Sequence, residues 1–422
     1  MKQQSLKPAA SCAEPESPLT LTVEDARARI LAGVSPLQSR ERLALRNGLD
    51  RILGEDIISP LDVPGHTNSA MDGFALSAVD LTEPGVELTV IGTVYAGESF
   101  QGSCRSGECV RIMTGAPIPT GTDTVVMQEQ TRTLAPDRVR IEGTHRKGQN
   151  IRQAGEDIAE GAVVLKTGKR LTPADLGILA SLGFGEISVK RRPKVAFFST
   201  GDELRAIGET LQPGELYDSN RYTLYGMLQR AGVELIDLGV VRDEPDALKE
   251  AFEQAAEAAD VVLSTGGVSV GEADYTKSIL QSLGEIGFWQ IAMKPGRPLT
   301  FGRLDEALFF GLPGNPVAVM VSFYQFVLPA LHALACGEVY LPLTLKARCE
   351  DKLRKRAGRF EFLRGNMQQT ADGNYQVTSL GQQGSGILTS MSQANCFILL
   401  DTACDGVEAG DSVTVQPFAS LV

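Results

Sequence analysis

The sequence predicts a multidomain protein of mixed α/β and β class, built around a doubly wound, mostly parallel sheet, and three observations carry that expectation. Its 422 residues exceed what one hydrophobic core usually supports. Between residues 191 and 338, apolar strand-like runs alternate with helical runs, the grammar of repeated β-α units. On either side of this block lie short β-type runs broken by Gly and Pro clusters.

Residues 1–20 are polar, rich in Ser, Pro, Lys and Glu, and carry no apolar h-region, so they read as a disordered leader and not as a signal peptide. From Leu21 to Asn47 the pattern is helical, with Thr22 and Glu24 ahead of Ala26, Ile30 and Leu31. Residues 59–150 break into VELTVIG, ECVRIM, DTVVMQEQ and RVRIEG, the texture of a small β-rich domain. It looks like an insertion, because helical texture resumes at LTPADLGILASLG (171–183), where Thr172 can cap and Pro173 takes the first helical position. The flanking segments 21–58 and 151–190 are then one discontinuous domain.

The block 191–338 opens with the buried-type strand KVAFFST and closes with PVAVMVSFYQFVLPALHALA (316–335). That last stretch is long enough to imitate a membrane span, but Gln325, Pro329 and His332 favour a buried helix. In 339–422 the helices stop, and LTLKARC, YQVTSL, CFILL and SVTVQPF predict a β-barrel or sandwich.

A formal charge of −12 argues against coating nucleic acid or a membrane, so an anionic substrate must meet a local basic pocket. Seven cysteines (Cys12, Cys104, Cys109, Cys336, Cys349, Cys396, Cys404) form no CxxC pair and read as reduced thiols of a cytoplasmic protein. The three histidines (His66, His145, His332) show no HExxH spacing, which leaves a histidine-based zinc site or a Ser-His-Asp triad without support.

Open α/β sheets bind ligands beyond the carboxyl ends of their strands, and the special residues of this block fall there. STGDEL carries Asp202 and Glu203, STGGVSVGEADY carries Gly266, Gly267 and Asp274, and GLPGNP carries Gly311 and Gly314 at the start of a helix. Such glycines let backbone N–H groups approach a phosphate, although similar turns also merely join strands to helices. One or two of Asp202, Glu203, Asp243 and Asp274, together with a substrate phosphate, would suit Mg²⁺. Asp243 and Asp274 would serve equally as helix N-caps. MKPGRP (293–298) sets Lys294 and Arg297 around a Pro-Gly turn, and DKLRKRAGRFEFLRG holds Arg354, Arg356, Arg359 and Arg364. In an acidic protein both are candidate oxyanion sites, with Arg354 and Arg356 better read as a solvated face. NSAMDGFAL, RIMTGAPIPTGTDTVV and GEDI add Asp72, Thr114 and Asp157, which singly are as good turn formers as catalysts.

Taken in order, NSAMDGFAL, RIMTGAPIPTGTDTVV, STGDEL, LYDSN, STGGVSVGEADY, MKPGRP and GLPGNP resemble the molybdopterin molybdenumtransferase family, which includes MoeA and the E domain of gephyrin. The match runs from about Leu21 to the C-terminus. The resemblance implies an α/β domain like that of molybdopterin adenylyltransferases, an inserted β domain, a helical and β linking domain, and a C-terminal β-barrel. It also implies a homodimer with its active site in a cleft at the interface. The activity implied is insertion of molybdenum from molybdate into adenylylated molybdopterin, with Mg²⁺-dependent release of AMP. The molybdopterin adenylyltransferase and apo-molybdoenzymes follow as partners.

By motif, the resemblance assigns catalytic roles to Asp72, Thr114, Asp157 and Glu203, and metal binding to Asp243 and Asp274. Gly266, Gly267, Lys294, Arg297, Pro313, Pro316, Arg359 and Ser385 would bind substrate. After GLPGNPV the chain has Ala318 where many relatives carry a hydroxyl residue, and QGSGILTSMS leaves Ser385 and Ser390 both open as the oxyanion contact. Two other functions share parts of this pattern. A molybdopterin adenylyltransferase has a similar α/β block but would consume ATP and does not need the Asp72 and Thr114 motifs, while a non-catalytic scaffold like gephyrin would not need the acidic motifs.

Overall fold

The structure, a computed structural model, describes residues 20–266, 274–340 and 342–420, and of Asp274, Tyr275, Phe288 and Ser420 the backbone alone. The leader expected over 1–20 lies, apart from Thr20, outside the described residues, as does Gly267. The chain divides into two units, residues 1–39 with 190–422, and residues 40–189.

In the first unit, KVAFFST forms the strand Lys194–Thr200, whose residues Val195 to Phe198 are fully buried, as a strand covered on both faces requires. It runs parallel to Glu234–Val241 on one side and to Val261–Thr265 on the other, and Val261–Thr265 is parallel to Ala307–Leu312. There the sheet changes character. Ala307–Leu312, Pro298–Leu304 and Gly284–Ile291 are antiparallel neighbours, so the seven-stranded sheet is mixed, parallel in four of its six pairings and antiparallel in these two. The cause is local: Leu304 pairs with Ala307 across Asp305 and Glu306, and Asp305 has φ 49°. A two-residue turn reverses the chain and leaves no room for a crossover helix.

The N-terminal helix forms as its sequence indicates, over Val23–Ala32, with Thr22 Oγ1 accepting from the Asp25 N–H at 3.0 Å. Its place differs from the expected linking domain. Thr20–Leu21 adds to the edge of the seven-stranded sheet beside Gln290 and Ile291, and Val23, Ala26 and Ile30 pack into the same core as Phe197 and Phe310. The apolar face of this helix therefore belongs to the α/β layer, and the unit boundary falls after Ser39. The apolar stretch Pro316–Cys336 is helical and mostly buried in that core, which explains its hydrophobicity.

The C-terminal strands close on themselves. Phe360–Gln369 pairs with Tyr375–Ser379, that strand with Leu345–Cys349, then Ser412–Pro417, Cys396–Leu400, and back to Phe360–Gln369, a five-stranded barrel around Val377, Cys396, Ile398 and Val415. Closure removes the exposed edges of so small a sheet.

One ion pair fastens the start of the α/β layer. Asp260 accepts from Arg191 Nη1 at 2.7 Å and Nη2 at 2.9 Å, and from the Lys194 N–H at 2.7 Å. Burial opposes ionisation of this carboxyl, but the Arg191 and Lys194 hydrogen bonds outweigh it and hold its pKa below the ordinary value. Asp260→Ala should destabilise the chain by about 2–3 kcal/mol, read from denaturant midpoints, because it removes the bidentate Arg191 pair and the acceptor of the Lys194 N–H. Since the folded pKa is depressed, this stabilisation is present above the unfolded carboxylate value near ~3.9 and disappears as pH falls through the folded value. The wild type should accordingly lose its advantage over the variant in acid.

In the second unit, residues 59–150 contain a six-stranded sheet ordered Thr124–Met127, Gly73–Leu76, Glu108–Ile112, Glu87–Val94, Arg138–Ile141, Thr131–Ala135. Around it, Ile57–Ile58 pairs with Val163–Leu165 over a separate core containing Leu53, Leu171, Leu179 and Val189. The helix Pro173–Ser181 starts as the sequence indicates, with Thr172 and Asp175 forming a reciprocal capping box and Pro173 in the first turn.

Candidate functional site

In the first unit the Pro-Gly turn of MKPGRP is fixed at both ends. Before it, Met293–Lys294 forms a short strand parallel to Phe360–Glu361 of the barrel; after it, Pro298–Leu304 enters the seven-stranded sheet. Gly296 has φ 92°, and a Cβ there would lie 2.5 Å from Met293 Cε and 2.9 Å from Ser322 Oγ, so the turn admits only glycine. The turn borders a hollow of about 320 Å³ lined by Lys294, Arg297, Pro313, Gly314, Asn315 and Ala318, with Gln383, Gly384 and Ser385 from the barrel side. Arg297 Nη2 donates to Gln290 Oε1 at 2.7 Å, and Lys294 Nζ stands 3.8 Å from Glu361 Oε2. Both cations keep donors for a ligand. Asn220, from LYDSN, donates through Nδ2 to the Gly314 carbonyl at 2.7 Å and steadies the GLPGNP turn.

The basic island of the barrel separates on burial. Arg354, Arg356 and Arg359 are exposed, and Arg359 does not line the hollow, whereas Arg364 is 1% exposed. Its Nε donates to Ser390 Oγ at 3.0 Å and its Nη2 to the Gly384 carbonyl at 3.0 Å, while its own N–H and C=O are bridged by the Gln383 side chain. Burial lowers its pKa to about 10, so it stays charged at neutral pH, and among the described residues no carboxylate pairs with it. Arg364 thus holds the Gln383–Ser385 loop against the hollow. The same contacts separate the two serines: Ser385 lines the hollow, and Ser390 is buried against Arg364. Pro316 lies outside the lining and occupies the first turn of the helix Pro316–Ser322.

At the carboxyl edge of the sheet, Gly201 has φ 153°, and a Cβ on it would meet Glu203 Oε2 at 2.6 Å, so the glycine lets the Glu203 carboxylate fold back over the turn. Asp202 Oδ1 faces the Asp243 N–H at 3.4 Å, which brings two of the acidic motifs together. Asp274 is the first residue of the helix Asp274–Leu283, and its side chain lies outside the described residues. Gly266 has a packing reason of its own: with φ 85°, a Cβ would come 2.1 Å from the Thr200 carbonyl. Gly311 lies buried within the strand Ala307–Leu312. Among the described residues no three His, Cys, Asp or Glu side chains gather as a metal site.

In the second unit, Asp72 and Thr114 meet. Asp72 Oδ1 accepts from the Thr114 N–H and from its Oγ1, each at 2.7 Å. These two bonds hold the exposed Asp72 carboxyl below its ordinary pKa. Asp157 is exposed, with its N–H donating to the Val63 carbonyl at 3.0 Å. A second hollow, of about 350 Å³ on the barrel's outer face, is bordered by Lys346, Arg348, Glu350 and Asp372. Arg348 pairs with Glu350 and Lys346 Nζ donates to Thr414, a solvated charged surface.

Three family models match the chain in succession: MoeA N-terminal region (domain I and II) over residues 21–183, probable molybdopterin binding domain over 196–333, and MoeA C-terminal region (domain IV) over 346–418. The chain is 43% identical over 403 residues to the molybdopterin molybdenumtransferase of Haemophilus influenzae, covering 95% of this chain and 100% of that one. It is 38% identical over 375 residues to that of a Nostoc species, covering 86% of each. A crystal structure of the molybdopterin biosynthesis moeA protein from Pyrococcus horikoshii superposes with a TM-score of 0.83 at 29% identity, covering 95% of this chain and all of that one.

Proposed function

Because the chain belongs to the molybdopterin molybdenumtransferase family, matching its N-terminal, molybdopterin-binding and C-terminal regions in order, we propose that it inserts molybdenum from molybdate into adenylylated molybdopterin, releasing AMP and molybdenum cofactor. The observation that carries this reading is the hollow where Lys294 and Arg297 flank one glycine-dependent turn. Two cations on one rim suit a tetrahedral dianion, and the adjacent Gly314 turn at a helix start offers backbone donors to phosphate. Lys294, Arg297 and Ser385 hold molybdate, and Pro313 shapes the pterin side of the pocket. Arg364 keeps the Ser385 loop in place, and Glu203 orients the attacking water.

Mg²⁺ suits the chemistry of the acidic edge of the sheet, where the Asp202 carboxylate reaches the Asp243 N–H, since carboxylates are the hard oxygen donors it prefers. Asp243 and Asp274 would hold it, and the ion would offset charge developing on the bridging pyrophosphate oxygen. Asp72, Thr114 and Asp157, on the second unit, take catalytic roles, with the Thr114 bonds keeping Asp72 ionised. We read the functional form as a cytoplasmic homodimer that receives its substrate from the adenylyltransferase and hands its product to apo-molybdoenzymes. Light scattering at micromolar concentration should give twice the chain mass; a fully active monomer would contradict the dimer. The function is tested by reconstitution: purified chain, adenylylated molybdopterin, Mg²⁺ and molybdate should activate an apo-molybdoenzyme, and failure with active substrate would overturn the reading.

A further inference from the structure

We propose that Glu361 is a positioning residue of the oxyanion pocket, a buried carboxylate that offsets part of the pocket's positive charge and so sets how tightly a tetrahedral dianion is held. This rests on the location of the pocket given above. Lys294 and Glu361 are register partners on adjacent parallel strands, and Nζ stands 3.8 Å from Oε2. The glutamate side chain is 8% exposed and the lysine 50% exposed, so the ammonium faces the hollow and the carboxylate lies behind it.

A buried carboxylate is unfavourable without a cation, and among the described residues Lys294 is the only one that pairs with Glu361. Glu361 also shares strand parity with Leu363, which packs into the barrel core, so packing alone would favour an apolar residue. Its charge has a consequence at the pocket. Lys294, Arg297 and Arg364 bring three positive charges, and Glu361 reduces the sum to the equal and opposite of a dianion. At 3.8 Å, beyond hydrogen-bond reach, the glutamate attenuates the lysine without occupying its donors. A stronger field would tighten ground-state binding of any tetrahedral dianion without helping the step that consumes molybdate.

Replacing the carboxylate by an amide should therefore strengthen binding, the reverse of what loss of a merely structural contact does. Glu361→Gln should lower the Kd for molybdate, and for sulfate, by about tenfold, the effect of removing one like charge from a partly screened site. The KM for molybdate should fall in parallel while kcat does not rise. Glu361→Asp, which keeps the charge, should stay close to wild type. Isothermal titration of each anion into the full-length chain reads this out, with thermal melting as the check on folding. The neutral Glu361→Met should tighten binding likewise and replaces the amide if that variant does not fold. Unchanged or weaker molybdate binding in folded neutral variants overturns the proposal. Lys294→Ala, titrated alongside, separates the two levels: if it too leaves molybdate binding intact, the pocket is elsewhere, and if it alone weakens binding, Glu361 does not have this role.

Discussion

Lys294→Ala is expected to raise the molybdate concentration for half-maximal cofactor formation by about ten- to a hundredfold, and excess molybdate is expected to restore the rate. The magnitude follows from one charge-assisted hydrogen bond in a partly dehydrated pocket, worth roughly 1.5–3 kcal/mol. Rescue by excess anion follows because the ammonium contributes binding and not chemistry. Arg354→Ala is the control, since Arg354 is exposed at the barrel surface and its loss should change little. A titration of initial rate against molybdate for the two variants gives the ranking. Equal damage in both, or a Lys294 variant that molybdate cannot rescue, would place the oxyanion elsewhere.

The second large effect is expected at Asp274. If it helps hold Mg²⁺ at the pyrophosphate, Asp274→Asn should cut AMP release by about 10²–10³-fold, the typical loss when one electrostatic stabiliser of the transition state is removed. Pterin binding should survive, because the ion contributes more to the transition state than to the ground state. Asp274 also begins a helix, and a lost N-cap would instead show as about 1 kcal/mol of stability with turnover retained. Single-turnover AMP release and thermal melting on the same variant distinguish the two.

The sequence made some of this legible and hid the rest for physical reasons. KVAFFST, with four apolar residues in succession, read as a strand covered on both faces, and Thr172-Pro173 as the opening of a helix, and both formed so. Strand direction was hidden, because an apolar run reads the same in a parallel or antiparallel setting; the signal lay in LDEA, a turn too short for a crossover. The helix Val23–Ala32 was visible, but an apolar face does not say which sheet covers it. In the site, MKPGRP drew attention to Lys294 and Arg297, and both line the hollow. The barrel arginine was harder. Arg359 and Arg364 sit in one basic run, and only strand parity separates them: Arg364 falls on the side of Phe360 and Phe362, which pack on the large core, and is carried inside. Gly266 shows a second reason for a glycine that suggests a ligand, since the Thr200 carbonyl already requires one there.

The most direct measurement is AMP release from adenylylated molybdopterin by the purified chain with Mg²⁺, with and without molybdate and in the absence of ATP. The expected result is molybdate-dependent AMP in equal amount to the cofactor formed. AMP release indifferent to molybdate, or product formation that appears only when ATP is supplied, would contradict molybdenum insertion as the chemistry of this site.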